Sequence, residues 1–128
     1  MKIGELARRS GLTAHTLRYY ERIGLLPRAG RDGSGQRDYD GAALVWIAFL
    51  RRLKTTGMPL REMLRYARLR AQGAGTTAQR RDLLIAHRAA VQAHLAELQA
   101  CLASLDSKID GYEAALERSE TDDGSHQR

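Results

Sequence analysis

Apolar positions recur at helical spacing along most of this chain, and the interruptions divide it into elements. Ile3, Leu6 and Ala7 keep a helical period, Ser10-Gly11 breaks it, and Leu12 leads into Thr13. Thr13 makes a good N-cap, because its hydroxyl satisfies a free N–H of the next helical turn; Thr16 stands where a capping-box glutamate would be. In the following run Leu17 and Tyr20 fall on one side. His15, Arg18, Tyr19 and Arg22 fall at i, i+3, i+4 and i+7 and share the other. One face packs on a core while the other offers cations, a phenol and an imidazole to something outside. Two short helices so arranged predict a helix-turn-helix whose second helix reads a major groove, with Thr13, His15, Thr16, Arg18, Tyr19 and Arg22 as contacts.

The pattern after this pair predicts a wing and two more helices. Leu26-Pro27 ends the second helix, since proline disfavours helical geometry in the residue before it. Arg31 to Tyr39 holds two glycines among polar residues and reads as a β-hairpin with Arg37 and Tyr39 on its return arm. A guanidinium there suits a phosphate. Tyr39 has two readings: a phenol that reaches phosphate or sugar, or a ring that anchors the wing to the reading helix. Asp40 caps a third helix through Ala42, Leu44, Ile47 and Leu50 to about Thr55, stopped by Gly57. Val45, Trp46, Ala48 and Phe49 make it apolar nearly all round, which demands cover on more than one side. Arg51, Arg52 and Lys54 close it with positive charge that complements the helix dipole. Pro59 suits the first turn of a fourth helix, with Leu60, Met63, Leu64 and Ala67 as its buried stripe.

Beyond Gln72-Gly-Ala-Gly75 the period changes to seven. Leu84, Val91, Leu98, Leu105 and Tyr112 form one heptad series; Arg88, Leu95, Leu102, Ile109 and Leu116 form the other, interleaved as d and a positions. A lone helix cannot bury such a stripe, so the chain is expected to be a homodimer through a two-stranded coiled coil. Arg88 strains a uniform seam and belongs near its end, facing an acidic partner. The fold class is therefore mainly α: a winged helix-turn-helix over 1–72, a hinge at 73–75, a coiled-coil dimerisation helix over 76–118 and a disordered polar tail over 119–128.

Charge sharpens this division. The formal net charge is +6, yet residues 1–72 carry 15 Lys/Arg against 6 Asp/Glu and residues 73–128 carry 6 against 9. Positive charge concentrated beside a reading helix points to a polyanion. No apolar run is long enough to span a bilayer and no signal peptide is evident, so the expected location is the cytoplasm, on the nucleoid when bound to DNA. The single cysteine excludes an internal disulfide framework.

The motifs themselves are specific. Ile3-Gly4-Glu5-Leu6-Ala7, then Thr16-Leu17-Arg18-Tyr19-Tyr20-Glu21 with Gly24-Leu25-Leu26, then Arg37-x-Tyr39, resemble the MerR family of bacterial transcription regulators. The resemblance extends over about residues 2–118. It implies an antiparallel dimer with a DNA-binding domain at each end, and a second, backbone-touching wing that includes Arg52 and Lys54. It also implies a mode of action, in which the dimer binds a pseudo-palindrome in an overlong promoter spacer, bends and untwists it, and aligns the two polymerase elements. RNA polymerase is then an indirect partner at the promoter.

The signal sensed is read from departures. Metal-sensing relatives place cysteines at the start of the long helix and in a loop after it; this chain has Thr76-Thr77-Ala78-Gln79 and Ser119-Glu120-Thr121-Asp122. No metal and no cofactor is expected. His87 and His94 lie about 10 Å apart along the axis and cannot share one ion within a chain. Tyr39-Asp40, Trp46-Ile47, Phe49 and the Leu105 to Tyr112 run are similar to a short subgroup that responds to aldehydes and thiol-reactive stress, but Arg52 occupies the position of its usual sensing cysteine. Cys101, at a g position, is either a small, partly buried apolar residue or a redox switch at the dimer. Trp46, Phe49 and Tyr66 either line a small-ligand cavity or pack as core. No ligand-binding domain is expected after the coiled coil, and no residue pattern names the effector. No Ser/His/Asp or Cys/His arrangement, phosphate-cradling glycine loop or HExxH motif supports an enzyme. Two other readings compete with promoter distortion: simple repression by occlusion, and sequence-independent nucleoid structuring.

Overall fold

The structure, a computed structural model, describes the backbone of residues 1–126 and the side-chain surroundings through residue 121. Helix α1 (Ile3–Ser10) buries Leu6 and ends at Gly11, whose φ of 76° lets its N–H turn back to the Ala7 carbonyl at 3.0 Å. Helix α2 (Ala14–Arg22) starts at Thr13, whose hydroxyl accepts the Thr16 N–H at 3.0 Å. It closes when the Leu25 and Leu26 amides both donate to the Tyr20 carbonyl, at 2.9 and 3.1 Å. Strands β1 (Gly30–Arg31) and β2 (Arg37–Asp38) pair antiparallel, Gly30 opposite Asp38 and Arg31 opposite Arg37. Asp32 holds their turn by accepting the Ser34 and Gln36 amides at 2.9 and 3.0 Å.

Helix α3 (Gly41–Thr55) is capped by Asp40, which accepts the Ala42 amide at 3.0 Å. Its inward face carries Trp46, Ile47, Leu50 and Leu53. Its other face is open: Val45 is 74 % exposed, so the expected second cover does not come from this chain's described residues. Helix α4 (Leu60–Ala71) follows Pro59 and buries Met63 and Ala67. Leu60 departs from the expected stripe and is 44 % exposed, because as the first helical residue it lies outside the packed turn.

A single 3-10 turn, Ala74–Thr76, leads into helix α5 (Thr77–His126). The segment expected as a hinge is a hydrogen-bonded corner. The buried Thr76 hydroxyl lies 2.5 Å from the Leu69 carbonyl and 2.8 Å from that of Gly73, and Arg80 donates to Thr76 at 3.1 Å. The compact N-terminal unit runs to His87, further than the 1–72 boundary read from sequence. The reason is packing: Leu83 is buried in the core and Leu84 lies partly buried against it. Leu84, expected in the seam, thus also touches this core. The second unit begins at Arg88. Its helix passes Arg118 without a break, which corrects the expected disorder from 119: residues 119–126 are helical, and 127–128 lie outside the described residues. Extending an existing helix adds one hydrogen bond per residue without a new nucleus, so a polar segment continues it.

Candidate nucleic-acid interface

The α2 face predicted to point outward does so. His15, Arg18 and Arg22 are exposed and Tyr19 is 40 % exposed, while Leu17 and Tyr20 fill the core. Thr13 is exposed and Thr16 half-buried at the leading end, their hydroxyls 3.0 Å apart. Arg22 lies over the Tyr19 ring at 5.8 Å, which steadies two members of the exposed set. Among the described residues no carboxylate comes within 4 Å of Arg18 or Arg22, so both cations remain available to an external anion.

Glu21 is the buried counterpart of this face, 5 % exposed. Sequence reasoning passed over it, although Glu21 stands four residues after Leu17 and so shares its inward side. A carboxylate placed there needs partners. The wing supplies them: Arg37 Nη1 lies 2.7 Å from Glu21 Oε2, and the Tyr39 hydroxyl donates to Oε1. The ion pair is what satisfies Oε2, which has no hydrogen bond of regular geometry.

This arrangement favours the anchoring reading of Tyr39. The residue is 4 % exposed and its hydroxyl donates to Glu21, so it ties the wing to the reading helix. Burial, and next the adjacent Glu21 carboxylate, push its pKa up to about 12. Arg37 is shared between Glu21 and solvent; its side chain is 37 % exposed.

At the end of α3, Arg52 and Lys54 are both exposed. Arg51 has a different role: its Nη1 donates to the Ser10 carbonyl at 2.6 Å, capping α1 from across the domain. Nearby, the Thr56 hydroxyl and His87 Nε2 are 2.8 Å apart, tying the end of α3 to the start of α5. Trp46, Phe49 and Tyr66 pack against one another with centroids 5.7–6.2 Å apart, and Arg70 covers Trp46 at 4.2 Å. The three rings pack on one another, which favours the core reading. Trp46 also donates its indole N–H to the Leu25 carbonyl at 2.9 Å.

In the second unit, Leu95, Leu98, Leu102, Leu105, Ile109, Tyr112 and Leu116 are each 48–64 % exposed, and Val91 is half-buried. Cys101 is exposed on the same helix. Among the described residues no three His, Cys, Asp or Glu side chains gather as metal ligands, and no helix is long and apolar enough to cross a membrane.

Comparison with known proteins places these features in one context. Residues 2–39 match the family described as MerR family regulatory protein, and residues 44–108 match the one described as MerR, DNA binding. The chain is 40 % identical over 88 residues to the HTH-type transcriptional regulator AdhR of Bacillus subtilis, covering 69 % of this chain and 63 % of that one. Thus it spans about three-fifths of the length of that curated relative. A crystal structure of a MerR family regulator from Listeria monocytogenes superposes with a TM-score of 0.88 at 34 % identity, covering 95 % of this chain and 92 % of the other. HiNmlR, a MerR family regulator lacking the sensor domain and crystallised bound to promoter DNA, gives 0.79 at 35 % identity over 89 % and 90 %.

Proposed function

Because this chain belongs to the MerR family of regulatory proteins, we propose that it is a homodimeric, sequence-specific transcriptional regulator acting on promoter DNA. The observation that carries this is the exposed set on α2, His15, Arg18, Tyr19 and Arg22, backed by the buried Glu21 that ties the helix to its wing. His15, Arg18 and Tyr19 meet base edges; Thr13, Thr16, Arg22, Arg37, Arg52 and Lys54 meet phosphates and set the register. A two-fold dimer requires a pseudo-palindromic site. Bound in a promoter spacer, it bends and untwists the duplex and so controls access of RNA polymerase, under a small effector or stress signal. It works in the cytoplasm and performs no catalysis. Two features support the reading: the basic balance of residues 1–72, and the likeness to a relative crystallised on promoter DNA.

A footprint of the purified protein on DNA upstream of its own and neighbouring genes, at near-physiological salt with competitor DNA, tests it. A protected pseudo-palindrome within an overlong spacer, with altered spacer twist on binding, is the expected result. Protection over the start site with a normal spacer would instead make it an occluding repressor. Even coverage of any duplex, with a steep salt slope, would make it a nucleoid-structuring protein.

A further inference from the structure

Two cavities meet at Arg70. One, of about 380 Å³, lies between the exit of α2 and the end of α4; the other, of about 240 Å³, lies between the base of the wing and the start of α3. Leu26, Pro27, Arg28, Trp46 and Arg70 line both. Neither Phe49 nor Tyr66 borders them, so this space is separate from the packed rings. Arg70 is the anomaly in the shared wall. It is half-buried with its Cζ 4.2 Å from the centre of the Trp46 ring, and among the described residues no carboxylate comes within 4 Å of it. Burying a charge without a partner is costly. The indole face offsets part of that cost but leaves the in-plane N–H donors unused. Complementing the helix dipole does not demand such burial: Arg68, in the same last turn of α4, is exposed.

We propose that this pocket binds a small organic carboxylate, its anionic end held by Arg70 and Arg28 and its apolar body laid on the wall beside them. Arg28 brings a second guanidinium with no carboxylate within 4 Å among the described residues. The carboxylates that border the cavities are already engaged. Glu21 meets Arg37 and Tyr39, Asp38 lies 2.8 Å from the Met1 nitrogen, and Asp40 accepts the Ala42 amide at 3.0 Å. Leu26, Pro27, Ala29, Ala42 and Ala43 give the smaller cavity its apolar wall. A guanidinium fork matches a carboxylate in two parallel hydrogen bonds, and a bare phosphate would leave that wall in water. The smaller cavity falls below the about 300–1,000 Å³ of drug-sized pockets, which restricts the occupant to a small molecule. The proposal deepens the regulator reading above by naming its class of effector, and it rests on that reading for its consequence at DNA. A ligand seated there touches the exit of the reading helix, the base of the wing and both α3 and α4.

Trp46 is the single tryptophan of the chain, so its fluorescence reports on the site directly. The full chain is titrated with benzoate and with hexanoate, and with benzamide and inorganic phosphate as uncharged and non-apolar controls, by fluorescence and by calorimetry. Saturable binding of at least one carboxylate is expected. Arg28→Gln and Arg70→Gln should each weaken it about tenfold or more, the loss of a hydrogen bond to a charged group. Calorimetry decides for Arg70→Gln, because that side chain itself covers the indole. Arg28 is exposed, so its replacement leaves the core intact. The site is overturned by no saturable binding of either carboxylate, by equal binding of benzamide or phosphate, or by undiminished binding in both variants. Bound carboxylate should change operator affinity about fivefold or more; unchanged affinity would overturn its role as effector. A discrete promoter footprint without carboxylate binding overturns this site and leaves the regulator reading standing, whereas carboxylate binding without a footprint overturns the regulator reading.

Discussion

The Tyr39 hydroxyl donates to the Glu21 carboxylate, joining the return arm of the wing to the inward face of the reading helix. Both residues are almost completely buried, and Arg37 closes the group at 2.7 Å from Glu21. The outward-facing cations of α2 are thus held by a polar group behind them.

Removing that hydroxyl should weaken the domain without erasing its specificity. Tyr39→Phe leaves a buried carboxylate oxygen short of a donor and is expected to cost about 1–3 kcal/mol in urea unfolding. Base preference, measured by competition with mutated operators, should be retained, since Tyr39 does not face outward.

The same pair predicts an alkaline limit. The Tyr39 pKa is raised from 10.0 to about 12 in the folded chain. Its contribution is complete below pH 10 and falls as pH rises towards 12, because the unfolded chain releases the proton first. The parent should lose about 2–3 kcal/mol more than Tyr39→Phe across that interval. Equal slopes in urea melts at stepped pH would remove the prediction.

Gly11 is favoured by its backbone geometry and by the Arg51 side chain that occupies the space beside it. A Cβ at Gly11 would meet Arg51 Nη1 at 2.7 Å, on a backbone with φ of 76°. Gly11→Ala should therefore destabilise by about 1–2 kcal/mol. Arg51→Ala removes both the obstruction and the cap on α1, so the double variant should cost less than the two single costs together. Additivity in a double-mutant cycle would show that the side chain simply moves aside.

Base-reading and phosphate contacts should separate by salt. Arg18→Ala is expected to lower affinity for the operator by about 1–3 kcal/mol and to relax preference at one position in each half-site. Arg52→Ala and Lys54→Ala should weaken all duplexes alike, each lowering the log–log salt slope by about 0.9 per lost phosphate contact. Fluorescence anisotropy over a salt series on specific and scrambled duplexes measures both.

Much of this was legible in residue order. Thr13 and Asp40 cap the helices that follow them, and Gly11 and Gly57 stop the ones before. Their signals are local, set by one hydroxyl, one carboxylate or one missing Cβ within a few residues. The outward face of α2 was equally plain, since helical period alone divides His15, Arg18, Tyr19 and Arg22 from Leu17 and Tyr20.

What only tertiary structure decided concerns groups with several possible neighbours. Tyr39 became an anchor because Glu21, eighteen residues earlier in the chain, is inward-facing and needs a donor. Leu84 fits the heptad as well as Leu98 does, but it lies partly buried against the core of the N-terminal unit, beside Leu83. Arg51 resembles Arg52 and Lys54 in sequence, yet the Ser10 carbonyl claims it. Periodicity specifies which side of a helix a residue takes, because that follows from backbone geometry. The partner it meets there depends on contacts between distant segments, and these become definite only when the chain has folded.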